Sequence, residues 1–219
     1  MSANRVIKIM DLGLMEYGEA WRTQLEIVEK RIGGEVGDTL LIVEHPHVYT
    51  LGRKGMEENI LNKNIPCYRV ERGGDATYHG PGQLVVYPIL NLNERGLGVR
   101  DLVNILEESC IRTLQLYGVV GGRLEGKPGV WVNGRKIASI GLAVRHWVTF
   151  HGMAFNINTD LRYFNGIRPC GMDPEIMTSL QEILGHPIPM DEAKDRLVNG
   201  LVGLLNSTPV WTISLFKGL

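Results

Sequence analysis

Apolar positions along the chain fall into two periods. Val6, Ile7, Ile9 and Met10 open a strand-like segment that ends near Asp11. From Met15 to Ile32 the spacing changes. Trp21, Leu25 and Val28 recur every three to four residues, the stripe of a helix with one buried face, and Gly33-Gly34 stops it. Asp38 to Glu44 is a short apolar run that predicts a strand buried on both faces. His45-Pro46 breaks it, Val48 to Leu51 resumes, and Tyr68 to Arg72 alternates as a half-buried strand does. An apolar strand is predicted from Leu84 to Leu92. Val99 to Tyr117 is the clearest helix, with Leu102, Val103, Leu106, Cys110, Ile111 and Leu114 on one face and Asp101, Glu107 and Glu108 off it.

Beyond that helix the period returns to two. Gly129 to Val132 and Arg135 to Ile140 flank Asn133-Gly134, the dipeptide that supplies both positive φ angles of a type I′ hairpin turn. Strands are expected at Leu142 to His146 and Val148 to Asn158, an irregular stretch at Asp160 to Asp173, and a last helix at Asp191 to Leu205 with acids in its first turn. Strands joined mostly by short turns, with long helices at separate places, predict an α+β fold. The expectation is one domain over residues 1–219, a mixed and mostly antiparallel sheet flanked by helices.

Composition narrows the function classes. Of 219 residues, 44% are hydrophobic and 21% charged, which excludes a disordered or collagen-like chain. A formal net charge of −1 argues against nucleic acid or an anionic membrane as partner. No apolar run approaches a membrane span, and Met1 to Leu12 has no apolar signal core. Three scattered cysteines suggest a reducing compartment rather than a disulfide framework, so a cytoplasmic location is expected.

The 27 glycines are the anomaly, and four fall between Gly73 and Gly82. This segment, from Arg72 to Gln83, runs from strand to strand. A nucleotide-type phosphate loop would instead open a helix. Bare backbone there lets an extended ligand approach closely, and Tyr78, His79 and Gln83 are not the residues of a solvated linker. Cys110 keeps register with the apolar face of its helix and reads as core, and nothing around Cys67 hints at activation. Cys170 lies in Arg168-Pro169-Cys170-Gly171, outside any periodic pattern, on a stiff and open segment suited to a nucleophile. A free thiol is mostly protonated at neutral pH, so it needs a cation or base beside it. Lys136, on the hairpin strand, His79 and His151 are the candidates. Strict alternation from the turn places Lys136 with Ala138 on one side and Ile137 with Ser139 on the other. His45 and His47 lie two apart, but Pro46 between them and the lack of a third ligand speak against a metal site.

Taken in order, Arg72-Gly73-Gly74-Asp75-Ala76-Thr77-Tyr78-His79-Gly80-Pro81-Gly82-Gln83, Gly129-Val130-Trp131-Val132, and Arg135-Lys136-Ile137-Ala138-Ser139-Ile140-Gly141 resemble the octanoyltransferases of lipoate biosynthesis. So do Trp147-Val148-Thr149-Phe150-His151-Gly152, Asn156 to Leu161, Pro169-Cys170-Gly171 and Met177-Thr178-Ser179-Leu180. The resemblance implies a biotin/lipoate-ligase-like fold. It also implies transfer of octanoyl from octanoyl-acyl carrier protein to a lysine of lipoyl domains, in 2-oxoacid dehydrogenases and the glycine cleavage H protein. No cofactor, ATP or metal is implied. By motif, Cys170 is the acyl-thioester nucleophile and Lys136 its activating partner. Arg72, Gly73, Gly74, Asp75, Ala76, Thr77, Tyr78 and His79 would line the acyl site with Ser139, Ile140, Gly141, Gly152, Met153 and Ala154. Phe155 stands where these enzymes often carry leucine, and Met172-Asp173-Pro174 is an unusual spacer. The competing classes are an ATP-dependent ligase of the same fold, an amidotransferase between lipoyl proteins, and a non-catalytic module that binds lipoyl domains or carrier protein.

Overall fold

The computed structural model describes residues 5–168 and 176–212. Five helices and eleven strands lie in them, in the order β1 Arg5–Leu14, α1 Tyr17–Ile32, β2 Thr39–Glu44, β3 Val48–Leu51, β4 Cys67–Arg69, β5 Ala76–His79, β6 Gln83–Ile89 and α2 Leu92–Arg95. The chain continues with α3 Val99–Gln115, β7 Gly122–Leu124, β8 Lys127–Val132, β9 Arg135–Arg145, β10 Val148–Asn156, α4 Leu180–Leu184, α5 Met190–Leu204 and β11 Ser207–Thr212. Two short 3-10 segments, Glu57–Asn59 and Leu161–Gly166, complete the described elements.

Eight strands form one sheet in the order β11-β1-β2-β6-β10-β9-β8-β7, and β4-β3-β5 form a second, smaller sheet. In the large sheet β1 pairs parallel with β11 and β2, and every other neighbour is antiparallel. The α+β expectation of a mixed, mostly antiparallel sheet flanked by helices therefore holds. Its central strands are buried on both faces because alternate side chains supply two cores. Leu40, Ile42, Leu84 and Val86 meet Leu102, Leu106, Cys110, Leu197 and Leu201 of α3 and α5. Leu41, Val43, Val85, Tyr87 and Ile89 meet Ala20 and Val28 of α1 on the opposite side.

Several boundaries differ from the sequence reading. β5 lies inside the glycine-rich segment, and β7, β11, α2 and α4 are too short or too polar to register as periodic signals. β9 runs unbroken through Gly141, and β10 pairs with it along Val148 to Phe155. Asn133-Gly134 does form its turn, with φ of 49° and 77°. Strict alternation along β9 fails. Val130 pairs Ala138 while Trp131 pairs Lys136, so Ile137 is an extra residue in a bulge. As a result Ile137 and Ala138, adjacent in sequence, are both buried in one core cluster. Glu107 also departs from the reading: it is 5% exposed rather than on the wet side of α3. No helix among the described residues is long and apolar enough to cross a membrane.

Candidate active site

The small sheet and the bulged strand β9 close over one face of β10 and leave a cavity. Between its walls is about 680 Å³ of space, counting the part open to solvent, within the range of small-molecule sites. Arg72 to Thr77 and His79 form one wall, Lys136 and Ser139 to Gly141 another, and His151 to Ala154 a third. Tyr17, Val85, Tyr87 and Met177 complete it. The bulge at Ile137 is what lets Lys136 and Ser139, three residues apart on one strand, face the same space.

The glycine-rich wall is held from behind. The carbonyls of Arg72, Gly74 and Asp75 accept the N–H groups of Arg53, Lys54 and Gly52, and Gly73 N donates to Leu142 O on β9. The Arg72 guanidinium, 8% exposed, donates to the Thr50 carbonyl and hydroxyl at 2.8 Å each. Side chains at two glycines would destroy this packing. A β-carbon at Gly52 would stand 2.5 Å from Gly74 O and 2.8 Å from Arg72 Nη1, and one at Gly152 would overlap the Val86 carbonyl oxygen.

Behind the cavity lies a cluster of neutral polar rings. Gln83 Nε2 donates to Tyr78 O and Asn156 Oδ1, which leaves Gln83 Oε1 to accept from His79 Nδ1 at 2.7 Å. The His79 proton is thus on Nδ1, and Nε2 is an acceptor. His45 Nδ1 donates to Met15 O at 2.7 Å, so its Nε2 accepts from Tyr87 Oη at 2.8 Å. Tyr17 stacks on His79 with centroids 5.8 Å apart. His151 Nε2 stands 3.4 Å from the Glu71 carboxylate. Burial pushes the imidazolium forms out: His45 and His151 both fall to about 4, and His79 falls well below the usual histidine value.

Cys170 lies outside the described residues, but both flanks of its segment are placed. Upstream, Arg168 N donates to Asn59 O at 2.9 Å, and Asn59 Nδ2 donates to both oxygens of Asp75 in the glycine-rich wall. Downstream, Met177 bridges to Lys136 in parallel register, Thr178 N donates to Lys136 O at 2.9 Å, and Arg135 Nη2 donates to Met177 O at 2.6 Å. Arg168 thus stands against Asn59, and Met177 and Thr178 stand against the backbone of Lys136 itself.

Residues 16–202 match the model of the lipoyl protein ligase A/B catalytic domain. An octanoyltransferase of Bacteroides fragilis is 49% identical over 214 residues, covering 90% of this chain and 97% of the relative. One from Pelobacter propionicus is 46% identical over 196 residues, covering 90% and 94%. The chain belongs to the octanoyltransferase family. It is an acyltransferase of the lipoyl protein ligase A/B type. Its fold is shared with a lipoate-protein ligase A solved with ATP (TM-score 0.72, 14% identity, 96% of this chain and 90% of that one). A biotin protein ligase of Aquifex aeolicus is more distant, at TM-score 0.52 and 15% identity over 91% and 68%.

In this octanoyltransferase family member the fold gathers Lys136 with all but one of the residues expected to line the acyl site around one cavity. The exception is Tyr78. Its ring is fully buried among Tyr49, Tyr163 and Phe164, and its hydroxyl meets His47 Nδ1 at 2.7 Å. Phe155 is likewise a core residue, packed on the α3 and α5 side, and Met172 to Pro174 lie outside the described residues. The sequence reading did not place Tyr17, Val85, Tyr87 and Met177 at the site, and weighed His151 only as a partner for the thiol. Val85 and Tyr87 are two apart on a strand and share a face, a signal that could have paired them. Tyr17 opens α1, and only the packing of that helix brings it to the cavity.

The neutral histidines give a pH dependence of stability. Unfolded histidines titrate near 6.5, whereas His45 and His151 here hold no proton until about 4. The unfolded chain therefore binds more protons throughout that interval, and stability falls as pH drops from about 6.5 to about 4, by up to about 3 kcal/mol per histidine. Urea midpoints at pH 7, 6 and 5 measure this. A midpoint unchanged between pH 7 and 5 contradicts the buried neutral cluster.

Proposed function

We propose that this enzyme transfers an octanoyl group from the thioester of acyl carrier protein to a lysine of a lipoyl domain, through a thioester on Cys170. Support for the acyl group comes from the octanoyltransferase relatives, which cover the chain almost end to end. Support for the residues comes from the site. Lys136 faces the cavity, and the described residues on either side of the Cys170 segment bond to Asn59 and to the Lys136 backbone.

In the first step the Cys170 thiolate attacks the carrier thioester. A new C–S bond forms, the carrier C–S bond breaks, and the carrier leaves as a thiolate that takes up a proton. Two thioesters exchange, so the step is close to isoenergetic and needs no nucleotide. In the second step the target amine attacks. The amide C–N bond forms, the Cys170 C–S bond breaks, and the amine proton passes to neutral Lys136 or to water. Lys136 as an ammonium stabilises the resting thiolate. The apolar parts of Val85, Ile140, Met153 and Met177 receive the acyl chain, each buried methylene contributing about 0.8 kcal/mol.

The test is intact-mass spectrometry after incubation with octanoyl-acyl carrier protein and no ATP. The wild type should gain one octanoyl group, lost again when a lipoyl domain is added, and Cys170→Ala should gain none and transfer none. Transfer that persists in Cys170→Ala, or that requires ATP, overturns the reading in favour of a ligase.

A further inference from the structure

Glu107 sits where the helical pattern predicts a solvated acid, yet it is buried and its carboxylate is divided between two partners. One oxygen accepts the Gly129 N–H at 2.9 Å and the other accepts Arg123 Nε at 2.9 Å. Gly129, near the start of β8, has φ of +125°, a backbone conformation that residues with a β-carbon rarely adopt. A β-carbon there would overlap the Ala138 carbonyl oxygen and stand 2.5 Å from Lys136 Cε and 3.3 Å from its Nζ. The Lys136 side chain therefore lies directly across the bare α-carbon of Gly129. Its Nζ is also 5.5 Å from the centre of the Trp131 ring. That ring is itself fixed by donation from its Nε1 to Lys127 O at 3.2 Å.

We propose that Glu107 and Gly129 are positioning residues for Lys136. The carboxylate on α3 holds the Gly129 amide, the backbone keeps a conformation suited to glycine, and the missing side chain leaves the track along which the lysine reaches the cavity. The inference rests on Lys136 activating the Cys170 thiol. A residue on a helix remote in sequence thereby sets the distance at which the ammonium acts, without touching substrate. The other ionisable groups around Lys136 stay in place when either residue is changed. Lys127 shares the Trp131 ring at 5.9 Å, Arg135 pairs with Glu182 at 3.0 Å, and Arg72, His79 and His151 line the same cavity.

The readout is the pH profile of Cys170 alkylation by iodoacetamide, which reports the apparent thiol pKa without any transfer reaction. Gly129→Ala and Glu107→Leu should each fold, by thermal melt, and move the profile upward, toward that of Lys136→Ala, with about tenfold slower alkylation at pH 7. Glu107→Gln keeps an acceptor for the Gly129 N–H and should recover most of the lost rate. Folded Gly129→Ala and Glu107→Leu proteins with the wild-type profile, beside a shifted Lys136→Ala, overturn the positioning role alone. An unshifted Lys136→Ala profile removes Lys136 from thiol activation and this inference with it. An octanoyl adduct that still forms on Cys170 would leave the transfer reaction standing.

Discussion

Replacing Lys136 with alanine should slow acylation of Cys170 by about 10²–10⁴-fold, the usual contribution of a positioned proton-transfer group. It should also raise the apparent thiol pKa by about one to two units, as removal of a neighbouring cation does. The fold should survive. The Lys136 backbone accepts Thr178 N and bridges Met177, and alanine keeps both contacts. Single-turnover mass spectrometry gives the rate, and the alkylation profile gives the pKa. Arginine at this position should not restore activity. It keeps a positive charge but cannot accept the proton of the incoming amine. A Lys136→Ala enzyme within threefold of the wild-type acylation rate would refute the assignment.

The largest effect on stability is expected at Asp38, far from the cavity. Its carboxylate accepts Arg31 Nε at 2.8 Å, Arg95 Nε at 2.5 Å and the Asn91 N–H at 3.0 Å. Arg31 also pairs with Glu94, and Arg95 donates to Leu205 O and the Ser207 hydroxyl. One buried acid thus ties α1, α2 and the start of β11 to the end of the loop before β2. Both guanidinium side chains are nearly inaccessible, at 8% and 2%. Asp38→Ala leaves them short of charge compensation at a cost of about 3–5 kcal/mol. Urea unfolding measures the loss, and Asp38→Asn, which keeps acceptor oxygen but not charge, should fall between the two. None of these residues lines the cavity, so the remaining folded enzyme should keep its KM. A loss below 1 kcal/mol for Asp38→Ala would mean that water, not the acid, satisfies the arginines.

Much of the architecture follows from patterns that need no partner. The stripe Trp21-Leu25-Val28 and the face Leu102 to Leu114 are local in sequence, and so is the Asn133-Gly134 turn, so α1, α3 and the β8–β9 hairpin are legible directly. β11 is not, because Ser207 to Thr212 is an exposed edge whose only reason to be a strand is β1, about 200 residues earlier in the chain. The motif residues of the glycine-rich wall are likewise readable, since sequence alone marks a run of four glycines as unusual. Tyr78 shows the limit of that reading. It belongs to the same run, but its neighbours Tyr49, Tyr163 and Phe164 turn it into the small core.

By itself, then, the sequence determined the three long helices α1, α3 and α5, the hairpin, the two-sided burial of the central strands and the chemical types collected for the site. Each of these depends on residues a few positions apart. The tertiary structure alone decided which of those residues share a space. The bulge at Ile137 brings Lys136 and Ser139 to one cavity. A carboxylate from α3, read as solvated, is drawn under Gly129 because the amide and Arg123 that neutralise it lie on β8 and β7, 22 and 16 residues further along, beyond the reach of the helical period. A buried charge is stable only beside such partners, and no local pattern records where they come from.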